Sequence, residues 1–243
     1  MMMKKNKYEK EVNNVFADAV NCLKGFVLEG EFVKTENAVE LKQLSNDMCV
    51  AIAVTMDKEY IDFDETSSFC INIQDLHSVL NEMSGDYKVK VGKDKVIIEG
   101  ANDKFELRQT EFSGNKLKDE MYKDLKSKLK TSVKISVNDL YEKFKRAKMA
   151  DDSVVFVLGR NSLEIRSGDD AKSYKGLLNA STSNFSEEKQ VRIADSFLEN
   201  MLKPTKKIFK DVNIFMETDM PIMFEFEKKG LKIVYIIAPR VEE

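Results

Sequence analysis

An α+β fold built from two similar domains, each with two helices packed on antiparallel sheets, is what this sequence predicts. Three observations lead there. The 243 residues are too many for one small domain and suit two of about 120. Each half carries two helix-period apolar stripes among many short strand-like runs. The order of those elements then starts again beyond a polar mid-chain segment, which reads as an internal duplication.

The first helix is marked by Val15, Phe16, Ala19, Val20 and Leu23, one apolar face of a 3.6-residue period. Asn13 or Asn14 suits its N-cap, and Gly25 follows its end. A short strand is read before it, at Lys7 to Val12. Three runs rich in β-branched and aromatic residues follow: Phe26 to Val33, Ala38 to Leu44 and Met48 to Met56, separated by polar turns. Leu76, Val79, Leu80 and Met83 mark a second helix over Gln74 to Met83. Three alternating strands close the half at Tyr87 to Val91, Val96 to Glu99 and Lys104 to Gln109.

Glu111 to Lys130 is rich in lysine and carboxylates and reads as a linker, with Leu117, Met121, Leu125 and Leu129 at a four-residue, helix-like spacing. The domains expected are therefore 1–111 and 132–243, joined by 112–131. In the second half, Val133, Ile135 and Val137 alternate as a strand, and a helix covers about Asn138 to Met149. Strands follow at Val154 to Leu158, Leu163 to Arg166, Ser173 to Asn179 and Gln190 to Ile193. A fourth helix spans about Asp195 to Ile208, with Pro204 expected to interrupt or kink it. The last strands are Val212 to Glu217, Ile222 to Glu227 and Leu231 to Ile237.

Composition removes much catalytic chemistry. A single histidine, His77, cannot supply a multi-histidine metal site, and no histidine-based triad pattern accompanies it. Cys22, Cys49 and Cys70 fit neither a CxxC site nor a disulfide framework, and point to a reducing compartment. Gly25 and Gly30 have the spacing of a phosphate loop, but Glu31 stands where its lysine belongs. Asp62, Asp64 and Glu65 form the densest acidic cluster and read as a solvated strand end. No transmembrane run and no signal-peptide h-region is present. No catalytic residue, cofactor or metal is expected.

The net charge is −3, yet the second-half helices are basic. Lys143, Lys145, Arg146 and Lys148 belong to the third helix, and Lys203, Lys206, Lys207 and Lys210 to the fourth; Lys24 ends the first. Taken singly, each helix is an ordinary solvated face. Two basic helices at matching points of a duplicated unit instead suggest one positive lane for phosphates, with sequence-independent and salt-sensitive contacts.

Four segments resemble the sliding clamps of the proliferating cell nuclear antigen family in its archaeal form. They are the terminal Tyr235-Ile-Ile-Ala-Pro-Arg-Val-Glu-Glu243, Pro221-Ile-Met-Phe-Glu-Phe226 with Lys229-Gly-Leu-Lys232, Val39 to Val50, and Ile71 to Leu80. The resemblance implies a DNA clamp fold with a continuous outer sheet and inner helices. Three subunits would close around double-stranded DNA, which is held without regard to sequence. It implies a processivity factor and not an enzyme. Its partners would be DNA polymerase, flap endonuclease and DNA ligase, bound through short peptide motifs, and a replication factor C-type clamp loader. The location would be cytoplasmic, at the nucleoid.

By the same resemblance, Lys104, Phe105, Glu106, Leu107 and Arg108 would pair with Ser173, Tyr174, Lys175, Gly176, Leu177 and Leu178 of a neighbour. Partner peptides would seat among Leu44, Met48, Leu117, Met121, Pro221, Ile236, Ala238, Pro239 and Val241. The sequence departs from the family in its longer, more helical linker and in its first two helices, which carry little basic charge. Two other readings stand beside this one: a subunit of a heterotrimeric or specialised repair or checkpoint clamp, and a stand-alone α+β interaction module.

Overall fold

In the computed structural model, residues 15–64 and 66–240 are described. They form two compact units. The first takes in residues up to 46, then 53–116 and 228–233; the second takes in 47–52, 117–227 and 234 onwards.

In the first unit, helix α1 covers residues 15–23. Its apolar stripe is buried as the period requires, with Phe16 and Leu23 closed off from solvent. The caps read at Asn13 or Asn14 and the strand read at Lys7 to Val12 lie outside the described residues. Strands β1 (Glu29–Lys34), β2 (Ala38–Leu44) and β3 (Val50–Asp57) follow, then β4 (Asp62–Phe63) and β5 (Ser68–Asn72). β1 lies between β2 and β5, both antiparallel to it, with Phe32 opposite Phe69 and Val33 opposite Glu40. Phe32 stacks on Phe69 at 4.9 Å and meets Phe16 edge-on at 5.8 Å, which ties α1 to the sheet. Helix α2 (Ile73–Glu82) starts at Asn72, whose side-chain oxygen accepts the amides of Gln74 at 2.9 Å and Asp75 at 3.0 Å. A second sheet runs β4-β6-β7-β8, using β6 (Tyr87–Val91), β7 (Lys95–Gly100) and β8 (Lys104–Arg108).

In the second unit, helix α3 (Asp119–Lys128) buries none of its own residues, while Leu117 and Leu129 on either side are 4% and 3% exposed. Strand β9 (Thr131–Ser136) leads into α4 (Val137–Ala147), where Ser136 accepts the amide of Asp139. Then come β10 (Ser153–Leu158), β11 (Ser162–Gly168), β12 (Ser173–Asn179), β13 (Thr182–Ser183) and β14 (Lys189–Ala194). Helix α5 (Asp195–Ile208) and strands β15 (Asp211–Met216), β16 (Ile222–Lys228) and β17 (Leu231–Ile237) complete the chain. One sheet has the order β12-β11-β10-β14; the other includes β13-β9-β15-β16-β17. Val154, Phe156 and Leu158 of β10 face the core, as do Ile214, Phe224 and Phe226. The β11–β12 turn needs Gly168, whose φ is +93° and whose missing Cβ leaves room for the Lys172 carbonyl.

Several expectations shift. β1 starts at Glu29 and not Phe26, because the amides of Phe26 and Val27 bond to the Leu23 carbonyl and close α1. β3 starts at Val50, because Met48 adopts a left-handed turn with φ +59°. Val137 opens α4 and does not end the strand, once Ser136 caps it. β5 went unforeseen: five residues abutting a helix give too few alternations to read. Pro204 does not interrupt α5, which continues to Ile208. The buried row Leu198, Met201, Leu202, Pro204 and Thr205 holds it in place, and Thr205 bonds back to the Met201 carbonyl at 2.8 Å.

Candidate nucleic-acid interface

Helices α4 and α5 lie against each other in the second unit. Leu140, Phe144, Leu198, Met201 and Leu202 form their buried side, so the amphipathic period leaves the basic residues on the solvent side. The eight cations there divide into two groups. Four are held internally. Lys148 bonds to Oε2 of Glu199 and lies 4.0 Å from Asp195; Lys203 reaches Oε1 of the same Glu199 at 2.6 Å. Lys206 sits 3.5 Å above the Tyr141 ring, and Lys145 pairs with Glu142 at 3.5 Å. The side chains of Lys143, Arg146, Lys207 and Lys210 have no partner among the described residues, and Arg146, Lys207 and Lys210 are exposed.

The two lysines on Glu199 hold its carboxyl below the ordinary range, Lys148 first and Lys203 second. In return the hydrogen bond that Lys148 donates to Glu199 raises the Lys148 pKa. Asp195 moves the other way: burial raises it, against the pull of Lys148.

The matching pair in the first unit is different. Lys24 does not stand alone at the end of α1. Its ammonium donates to Nε2 of His77 on α2 at 3.0 Å, and its carbonyl accepts from Gln74 at 2.8 Å. Burial and then the charge of Lys24 lower the His77 pKa, which keeps the ring neutral and accepting. Asp18 pairs with Lys228.

Two strands stand at sheet edges. β8 is one end of its sheet and β12 one end of another. Lys104, Glu106 and Arg108 alternate with Phe105 and Leu107; Phe105 lies opposite Ile98 yet remains 37% exposed. Lys104 and then Lys95 bond the Glu106 carboxylate, at 2.7 and 2.6 Å, and hold its pKa down to about 2. On β12, Ser173, Lys175 and Leu177 share one face; Tyr174, Gly176 and Leu178 share the other, opposite Ser167, Ile165 and Leu163. Leu177 is 51% exposed.

The residues expected to seat partner peptides are scattered in exposure. Ile236 and Leu117 are buried, Leu44, Pro221 and Pro239 half-buried, and Met48, Met121 and Ala238 exposed; Val241 lies outside the described residues. The Cys49 carbonyl accepts the Ala238 amide at 2.9 Å, which brings the Met48 turn beside the end of β17. Leu44, in the first unit, has its amide bonded to the Asn115 carbonyl at 2.8 Å. It lines a cleft of about 260 Å³ with Leu28, Gln43 and Ser113. The Glu29 carboxylate accepts the Ser113 hydroxyl at 2.8 Å and fixes the start of the linker there.

Among the described residues no three of His, Cys, Asp and Glu gather to hold a metal, and no helix is long and apolar enough to cross a membrane. Asp62 and Asp64 are exposed, and Glu65 lies outside the described residues. Sequence reasoning missed two parts of the α4–α5 surface, Glu199 and Tyr141. The signal for Glu199 was present in its i,i+4 spacing to Lys203. Nothing local points from Tyr141 to Lys206, which lie on different helices.

A helix pair packed on antiparallel sheets, made twice in one chain, defines a duplicated α+β clamp fold. No protein-family model matches the chain. The DNA polymerase sliding clamp of Methanococcus maripaludis is 24% identical over 246 residues, 93% of this chain and 96% of that protein. The sliding clamp of Methanococcus vannielii is 21% identical over 248 residues, with the same coverage. Among solved structures, PCNA of Thermococcus kodakaraensis superposes with a TM-score of 0.78 at 14% identity, over 94% of this chain and 97% of that one. PCNA of A. fulgidus, with the C-terminal region of FEN-1 bound, gives 0.81 at 13% identity over 96% and 97%. The chain is thus similar along nearly its whole length to archaeal DNA polymerase sliding clamps and has the fold of PCNA.

Proposed function

We infer that the chain is a DNA sliding clamp, a processivity factor that encircles duplex DNA and tethers DNA polymerase and other replication and repair proteins. One observation carries this reading: the exposed side of α4–α5 gathers eight cations on a protein whose net charge is −3. Such a surface suits phosphates in any sequence. When a closed ring supplies the link to DNA, each contact can stay weak and the clamp can still move.

The finer features are those the resemblance to sliding clamps implies. The domains 1–111 and 132–243, joined by 112–131, would each present two helices to the hole. Lys24, Lys143, Lys145, Arg146, Lys148, Lys203, Lys206, Lys207 and Lys210 would face the duplex. Edge strand β8 would pair with β12 of a neighbour, closing three copies and removing two exposed edges. The apolar Phe105 and Leu177 on those edges favour burial there. Short motifs of the polymerase, flap endonuclease and DNA ligase would dock around Met48, Met121, Pro221 and Pro239, and a replication factor C-type loader would open the ring. The protein would act in the archaeal cytoplasm, at the nucleoid.

The test is topological. The chain is loaded with a replication factor C-type loader and ATP onto nicked circular DNA, and retention is compared before and after linearisation. Loss on linearisation is the expected result. Equal retention on both forms would mean adhesion and not encirclement. Native mass separates the assemblies: three times 27.9 kDa for a ring of identical copies, a monomer for an obligate heterotrimer subunit.

A further inference from the structure

We propose that Glu199 is a built-in attenuator of the DNA-facing surface, a carboxylate that holds two lysines away from phosphate and so keeps the clamp's grip weak. The inference rests on the DNA reading above and adds a residue to it. Glu199 is the point where α4 and α5 exchange charge. Each of its oxygens is taken by a different lysine, Oε2 by Lys148 beyond the end of α4 and Oε1 by Lys203 one turn on along α5. A phosphate that recruited either lysine would have to compete with a carboxylate already in place. A single acidic side chain thus offsets two of the eight cations on this surface.

The geometry also says which cations remain ready. Lys206 is committed to the Tyr141 ring and Lys145 to Glu142. Arg146, Lys207 and Lys210 are exposed and have no side-chain partner among the described residues. These three are the immediate phosphate ligands, while Lys148 and Lys203 are a reserve locked by Glu199. For a ring this serves a purpose. Every further bond to phosphate deepens the wells through which the clamp must move, whereas topology already prevents escape.

Glu199→Gln keeps the shape and removes the charge, releasing Lys203 and leaving Lys148 only its 4.0 Å contact with Asp195. Binding of the purified chain to a fluorescent linear duplex is measured by anisotropy across a salt series, beside the wild type. Asp170→Asn, an exposed loop position off the helices, controls for net charge, and circular dichroism for folding. The expected result is about three- to tenfold tighter binding for Glu199→Gln. The slope of log K against log salt should steepen by about 0.9 for each additional phosphate neutralised, with Asp170→Asn like wild type. An unchanged affinity and slope in Glu199→Gln, or an equally large increase in affinity in Asp170→Asn, would overturn the attenuator. If Arg146→Glu/Lys207→Glu still abolishes binding in that case, the DNA reading survives its loss. No duplex binding by wild type at low salt would overturn both together.

Discussion

The two helix pairs of this protein are built alike and charged unlike. Across residues 15–24 and 73–82, the first pair carries one lysine, Lys24, against Asp18, Asp75 and Glu82. Across 137–148 and 195–210, the second carries eight cations against Asp139, Glu142, Asp195 and Glu199. Their buried sides do not differ in kind: Phe16 and Leu23 pack in one unit as Phe144 and Leu198 do in the other. Packing and surface charge are therefore separate layers of the sequence. Each pair buries an apolar face because it must pack on a sheet, while the exposed positions carry no such requirement and differ. Positive charge on the helix faces is concentrated in one unit.

The comparison makes its largest prediction about the shared layer. Phe16→Ala and Phe144→Ala each remove an aromatic side chain that is 1% and 2% exposed. Each should cost about 3–5 kcal/mol in urea unfolding. Costs that differ by more than about 2 kcal/mol would break the claim that the two pairs are packed equivalently. The unshared layer gives the next effect. Arg146→Glu/Lys207→Glu/Lys210→Glu should weaken duplex binding at least tenfold and flatten the salt slope by about 0.9 for each phosphate no longer neutralised. Lys24→Glu, in the first unit, should change it less than about twofold, because that ammonium is engaged with His77. Equal losses in the two variants would remove the asymmetry.

How much of this was legible from the sequence follows the same division. Both helix pairs and all strands but β4, β5 and β13 were readable, because alternation and the 3.6-residue period are local signals. The basic character of α4 and α5 was readable for the same reason. What those cations do to one another was not. The bond from Lys148 to Glu199 spans 51 residues, and the seat of Lys206 on Tyr141 depends on how two helices cross. Strand limits erred where a cap or a left-handed residue decided them, as at Ser136 and Met48. Pro204 misled because burial in the core outweighs the propensity rule that flagged it.

The smallest effect sets the two pairs apart by pH. Glu199 sits below its ordinary carboxyl pKa in the folded chain. Its contribution to stability is therefore present above about pH 4.5 and lost as pH falls through the depressed folded value. For a partly exposed pair it amounts to about 0.5–1 kcal/mol. His77 is also lowered, by burial first and Lys24 second. The unfolded chain therefore takes up its proton first on acidification. Stability falls as pH drops from about 6.5 and levels off below the folded value. Two variants in urea titrations from pH 8 to pH 3 separate the windows. Glu199→Gln should flatten only the lower limb and His77→Gln only the upper one. If Glu199→Gln leaves the acid limb as steep as wild type, the carboxylate is not holding its two lysines in solution.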